Sequence, residues 1–226
     1  MKETHKKEIL LALFVGSMII VNTIGSKITT ILGVRVSVGI MFMPILFLVT
    51  DIISEVYGRA QAQRFVRISV GMLIFMFLMI LLSISLPPNP SWAMQEEYAL
   101  IFGSSLRMTF ASIISFAIAQ TFDVAAFDFW KTVTKGRFLW LRNNASTMVS
   151  QFIDTTLFMF IAFFRMTPDF TVPFIFSLII PYWLFKVAFA IFDTPLCYLG
   201  VRWMRNEQIF SRKQAPKDDK KEATTI

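Results

Sequence analysis

The sequence predicts an all-α membrane protein with six transmembrane helices and both termini cytoplasmic. Three observations carry that expectation. The 226 residues are 55% hydrophobic, with 25 Phe, 13 Met and a mean hydropathy of +0.62, which is more apolar surface than a soluble domain of this length covers. The apolar residues gather into six runs that approach or exceed the roughly 20 helical residues needed to cross a hydrocarbon core. The positive charges gather in alternate loops.

The runs fall at about 9–26, 36–55, 68–86, 106–129, 145–164 and 174–199. The first follows a charged start, MKETHKKE, and continues without a small-residue cleavage site, so it reads as a membrane helix rather than a signal peptide. A short loop around Gly33 separates it from the second. The third, ISVGMLIFMFLMILLSISL, has no charge at all, and the fifth is interrupted by Asp154. The fourth and sixth carry acidic or basic residues inside them. The segment 87–105 holds PPNP and Trp92 and reads as an outer loop with room for a short interfacial helix. Residues 1–205 thus form one membrane domain, and 206–226 form a charged cytoplasmic tail whose end, RKQAPKDDKKEATTI, has the composition of disorder.

Orientation follows from the basic residues. Lys2, Lys6 and Lys7 precede the first run; Arg59, Arg64 and Arg67 follow the second. Lys131, Lys135, Arg137 and Arg142 join the fourth to the fifth, and seven more lie from Arg202 to Lys221. In all, 17 of the 22 basic residues fall on one side, which the positive-inside bias assigns to the cytoplasm. The net charge of +7 is therefore a topology signal, and no nucleic-acid partner is needed to explain it. A single cysteine, Cys197, leaves no disulfide framework, and a single histidine, His5, leaves no His-based triad or His-rich metal site. Neither a metal nor a cofactor is expected.

Polar residues inside the runs are the informative ones, because an ionisable group at a helix centre costs at least ~2.5–3.5 kcal/mol on insertion scales. They are Asn22 and Lys27 on the first run, Asp51 and Glu55 on the second, and Gln120, Asp123 and Asp128 on the fourth. Asn143, Asn144, Gln151, Asp154 and Thr155 lie around the fifth, and Lys186 and Asp193 on the sixth. The third contributes none and should face lipid. Asp51 and Glu55 are four apart; QTFD (120–123) and QFID (151–154) each place a carboxamide three residues before a carboxylate, so each pair shares a helix face. At the helical rise, Gln120 and Gln151 lie roughly 10–14 Å from the cytoplasmic ends, with Asp154 near the midplane and Lys186 within about one turn of it.

Each residue also has a structural reading. Asp51, Glu55 and Asp128 sit where an interfacial carboxylate pairs with a loop arginine such as Arg59 or Arg142, and Lys27 is placed to snorkel. Asp154 and Lys186 suit a buried structural pair, the glutamines suit interhelical hydrogen bonding, and Pro181 and Pro195 suit helix kinks. Together, however, they describe a cavity for a polar solute. Carboxylates beside carboxamides match a flat heterocycle: a guanine-like edge offers two parallel N–H groups to a carboxylate. Phe122, Phe152, Phe158, Tyr182 and Trp183 are at hand to stack on its faces.

The segments FLVTDIISEVYG (47–58), IAQTFDVAAFDFWKTVTKGRFLWLRNNASTMVSQFIDTTLFMFIAFF (118–164) and the late Lys186 with DTPLCYLG (193–200) resemble the queuosine precursor transporter family, also called the vitamin uptake transporter family. The likeness runs through nearly the whole chain and includes Asn22 and Lys27. It implies a six-helix bundle like the membrane S-components of energy-coupling factor transporters, in a bacterial inner membrane. It also implies import of a 7-deazaguanine (7-cyano-7-deazaguanine, 7-aminomethyl-7-deazaguanine or queuine) for tRNA modification, with membrane lipid as the other partner. Asn22, Lys27, Asp51, Glu55, Gln120, Asp123, Asn144, Gln151, Asp154 and Lys186 are then the candidate substrate contacts. Three other readings remain: a substrate-binding subunit for another polar heterocyclic vitamin that needs a separate ATPase, an intramembrane enzyme, and a structural scaffold. The single histidine and the lack of metal-ligand spacing count against the enzyme, and polar residues on several runs count against the scaffold.

Overall fold

The computed structural model describes residues 3–134, 139–192 and 194–214, almost all of them helical. Helix α1 (Glu3–Ile24) leads into a β-hairpin, β1 (Ile28–Ile31) and β2 (Val34–Ser37), then a short 3-10 turn (Val38–Phe42) and α2 (Met43–Tyr57). There follow α3 (Arg59–Ser85), α4 (Gln95–Val133), α5 (Leu139–Phe163), α6 (Val172–Phe192) and α7 (Thr194–Gln214). Among the described residues, five segments are long and apolar enough to cross a membrane: Thr4–Ile24, Val38–Tyr57, Ala60–Ser85, Gln95–Ala119 and Val172–Phe189. Met148–Phe163, within α5, is a shorter apolar stretch of the same kind. The chain is a multi-pass helical membrane protein.

Cross-links fix which ends of the helices meet. At one end Lys6 Nζ donates to the Trp203 carbonyl at 2.7 Å and sits over the Trp203 ring, so α1 begins where α7 lies. Gly200 lets α7 approach α2 closely, since a Cβ there would lie 2.2 Å from Ile52 Cδ1. At the opposite end Ser105 Oγ donates to the Thr23 carbonyl at 2.8 Å, tying α4 to the last turn of α1. One apolar cluster joins α4, α5 and α6 to the hairpin through Met108, Met159, Phe163, Ile179 and Val36; another joins α1, α2, α3 and α7 through Phe14, Ile53, Phe65 and Met204. Helix α3 buries Phe65, Ser69 and Leu73, four residues apart, and leaves Met72, Phe75, Leu78 and Leu82 exposed. That is the surface of a helix with one face on the bundle and the rest on lipid.

Several boundaries differ from the sequence expectation. The loop expected around Gly33 is a hairpin, with Ile28 opposite Ser37 and Ile31 opposite Val34. Its two central residues, Leu32 and Gly33, have φ of 50° and 80°, the signs that a type I′ turn requires. The strands ITTI and VRVS are rich in β-branched residues, but their apolar character merges with the flanking runs and hides them. Lys27 therefore lies beyond α1, between helix and hairpin, rather than on the first span. The second helix starts at Met43 rather than at residue 36. Residues 95–105, expected in a loop, form the first turns of α4, whose 39 residues reach about 58 Å at 1.5 Å per residue. The expected sixth span is two helices: Pro195 is the second residue of α7, where its missing N–H is harmless but continuation of α6 through it is not. Helix α7 carries the chain to Gln214; residues 215–226 lie outside the described residues.

Arg107 makes a tie that the pattern of charges did not flag. From α4 its Nε donates to the Ile161 carbonyl at 2.7 Å and an Nη to the Phe164 carbonyl at 2.5 Å. The last carbonyls of α5 have no helical N–H to meet, and a guanidinium there satisfies two of them while opposing the negative end of the helix dipole. Arg107→Leu should lower the unfolding midpoint in detergent by the equivalent of ~1.5–3 kcal/mol, the range for hydrogen bonds from a charged donor. Arg107→Lys should recover only part of it, because an ammonium lacks the fork that bridges both carbonyls. An unchanged midpoint in Arg107→Leu would mean those carbonyls are served by solvent.

Candidate functional site

Helices α4, α5 and α6 meet at Asp154. From α6 the Lys186 ammonium donates to Asp154 Oδ2 at 2.9 Å; from α4, Ser115 Oγ donates to Asp154 Oδ1 at 3.0 Å. The ion pair is well enclosed, with the Lys186 side chain 7% and the Asp154 side chain 22% exposed. Tyr182, one turn before Lys186, is buried, and the Lys186 ammonium lies 6.0 Å from its ring centroid. Among the described residues each carboxylate oxygen has one donor, and a carboxylate oxygen has lone pairs for two. The site is therefore a charge-balanced acceptor inside the bundle that still has capacity for N–H groups.

Gln151, one turn before Asp154 on α5, is half-buried on the same side of that helix. Next to Asp154, Thr155 Oγ1 is buried and has no hydrogen-bond partner among the described residues; Thr156 Oγ1 shares that condition. Of the aromatic residues expected to stack, Tyr182 is buried and Phe158 half-buried beside the same core. Phe122 and Phe152 are exposed, at 49% and 40%, and Phe152 packs edge-on to Trp183 with centroids 5.6 Å apart. Trp183 in turn donates through Nε1 to the Met148 carbonyl at 3.3 Å.

The other candidates lie elsewhere. Asn22 is buried near the hairpin end of α1; its Nδ2 donates to the Met18 carbonyl at 2.8 Å and its Oδ1 has no partner among the described residues. The neighbouring Thr23 is level with Ser105, ten residues of α4 from Ser115, which puts Asn22 about 15 Å from Asp154 along the bundle. Lys27 is exposed beside the hairpin. Asp51 and Glu55 are exposed toward the opposite end, and Glu55 sits 3.6 Å from Arg205 of α7; the side chains of Arg59 and Arg142 lie outside the described residues. Both members of that pair are more than half exposed, so it is an interfacial contact of small energetic consequence. Gln120 and Asp123 lie on α4 and Asn144 on α5, but their side chains are outside the described residues, as is Asp193. The facing of QTFD against QFID is thus not described.

Ser115 escaped the sequence reading because a serine in FASIISFAIA is ordinary in a membrane helix, and residue type alone does not mark a partner for a carboxylate on another helix. Thr155 was legible as a polar residue beside Asp154, but nothing in the sequence sets its hydroxyl apart from any other. Arg107 stood in a span with no acidic neighbour, and its carbonyl partners come from a different helix.

A lipid-embedded helical bundle whose centre holds a paired carboxylate and ammonium, with spare acceptor capacity beside them, has the architecture of a solute transporter. Comparison with known proteins agrees. The model of the family described as "Putative vitamin uptake transporter" matches residues 37–200, and the chain belongs to that family. It is accordingly a membrane transporter of a small molecule and not an enzyme. It is 28% identical over 183 residues to the "Probable queuosine precursor transporter" of Bacillus subtilis (strain 168), covering 80% of this chain and 79% of that one. It is 31% identical over 140 residues to the "Queuosine precursor transporter" of Escherichia coli (strain K12), covering 62% and 60%. No solved structure matches.

Breaking the ion pair should be far worse than removing it. Lys186→Met leaves a carboxylate in the bundle without its cation and should lose ~3 kcal/mol, the lower part of the range for buried pairs because Asp154 is not fully enclosed. The double variant Asp154→Asn/Lys186→Met, which has neither charge, should recover most of that stability. The comparison is read from unfolding midpoints, and equal midpoints for the two variants would show the pair to be solvated.

Proposed function

We propose that this protein imports a 7-deazaguanine precursor of queuosine (7-cyano-7-deazaguanine, 7-aminomethyl-7-deazaguanine or queuine) across the bacterial inner membrane, with both termini cytoplasmic. The observation that carries the reading is the Asp154 cluster: a carboxylate held by Lys186 and Ser115 at the meeting of three helices, in a chain whose relatives include two named as queuosine precursor transporters. A deazaguanine presents adjacent N–H donors to one edge, and Asp154 has the lone pairs to accept them. Lys186 keeps the site neutral before and after the base enters, so a neutral solute need not carry an ion to compensate the carboxylate. Gln151 meets the amide-like groups of the ring, and Tyr182 and Phe158 supply aromatic surface. Asn22 and Lys27, toward the hairpin end, would meet the solute on its way in. Asp51 and Glu55, with Gln120, Asp123 and Asn144, would act nearer the cytoplasmic end.

Uptake of labelled 7-cyano-7-deazaguanine by cells that cannot make it tests the assignment. Asp154→Ala at wild-type expression should reduce uptake more than tenfold and abolish queuosine in tRNA; unchanged uptake removes Asp154 from the site. The purified protein in liposomes should transport the base with no ATPase present, and a strict need for a partner ATPase would make it a binding subunit instead. Reporter domains fused to either terminus should remain on the cytoplasmic side, as the distribution of Lys and Arg requires.

A further inference from the structure

In a membrane helix a hydroxyl ordinarily closes its hydrogen bond on its own backbone, at the carbonyl three or four residues earlier. Several hydroxyls of this bundle keep to that habit. Thr23 donates to the Ile19 carbonyl, Thr50 to Leu46, Ser69 to Phe65, Thr109 to Ser105 and Thr121 to Ala117, all at 2.8–3.1 Å. Thr155 breaks it. The residue is 1% exposed, and its Oγ1 reaches neither the Gln151 carbonyl nor any other partner among the described residues. A buried hydroxyl in that state is unfavourable, and its rotamer forgoes a bond that lies one turn away. On the helical wheel Thr155 lies about 40° from Gln151, on the side of buried Met159 and Ala162, and Asp154 lies about 60° from Gln151 on its other side. Thr156, the other threonine of this kind, falls about 100° further round at 3.6 residues per turn, on the far side of the helix from Asp154.

We propose that the Thr155 hydroxyl is a specificity-determining contact. It donates to a carbonyl oxygen of the solute while Asp154 accepts from the ring N–H beside it, so the site selects a fused heterocycle with a lactam edge. The inference rests on the reading above that the solute lodges against Asp154. An acceptor carboxylate and a donor hydroxyl on consecutive residues, to either side of Gln151, are the complement of an N–H next to a C=O. A site built to bond both groups rejects an analogue that lacks one of them, because its own polar atom is then left buried and unpaired.

The purified full-length protein, with Thr155→Val and Thr155→Ser, tests this. Valine matches threonine in shape and lacks only the hydroxyl. In Thr155→Val the ligand-free unfolding midpoint should be equal to or above that of the wild type, because no internal hydrogen bond is lost. Its affinity for 7-cyano-7-deazaguanine should fall about tenfold, equivalent to ~1.4 kcal/mol. Its affinity for 2-aminopurine, which lacks the carbonyl, should not change, and Thr155→Ser should restore the preference for the lactam. A lowered ligand-free midpoint with discrimination intact would show that the hydroxyl serves the fold, overturning the proposal. Wild-type-like discrimination in Thr155→Val overturns it as well. Failure of the wild type to bind any lactam heterocycle overturns the transport reading itself, and this inference with it.

Discussion

A bilayer core has no water to lend to a polar group, so every donor and acceptor within it must find a partner in the chain or be held for a solute. This constraint organises the molecule. Most hydroxyls satisfy it locally on their own helices. Arg107 satisfies it across helices, meeting two carbonyls at the end of α5, and Ser105 does so between α4 and α1. Where two charges enter the bundle they enter together, as Asp154 and Lys186. The few buried polar atoms without partners among the described residues (Asn22 Oδ1 and the two threonine hydroxyls of α5) are exceptions against that background.

The helices divide accordingly. α3 has no charge over its apolar length, packs by a single narrow face and turns the rest to lipid. α4, α5 and α6 bring Ser115, Asp154 and Lys186 to one level, beside the aromatic and aliphatic core around Tyr182, Met159 and Ile179. Low polarity there strengthens each hydrogen bond within the cluster and raises the cost of a mismatched one.

Near the hairpin end the structure departs from a plain bundle. Ser37 Oγ donates to the Gly25 carbonyl at 2.5 Å and accepts from the Gly39 N–H, pinning the base of the hairpin to the end of α1. The Arg35 guanidinium lies 5.3 Å from the Phe174 ring centroid, fastening β2 to the start of α6. The hairpin therefore links the first and last parts of the membrane domain, and α7 repeats the link at the other end through Lys6 and Gly200.

The membrane class, the multiple helical crossings and the polar residues worth examining were all legible in the sequence, because hydropathy and charge act over windows that need no knowledge of the fold. The nearness of Asp154 and Lys186 was also legible, since depth in a bilayer follows from counting residues along antiparallel helices. Counting does not give rotation about the helix axis, and rotation decides the rest. It turned Phe122 and Phe152 outward while Tyr182 went inward, brought Glu55 within reach of Arg205 on α7, and aimed Ser115 at a carboxylate on another helix. The breaks at the hairpin and at Pro195 were hidden for a related reason: both lie within apolar stretches whose hydropathy does not register a change of backbone direction. Composition and spacing by themselves determined that polar groups enter the bilayer and at what depth. Only the packing of the helices decided which of them meet, because partnership depends on facing as well as on height.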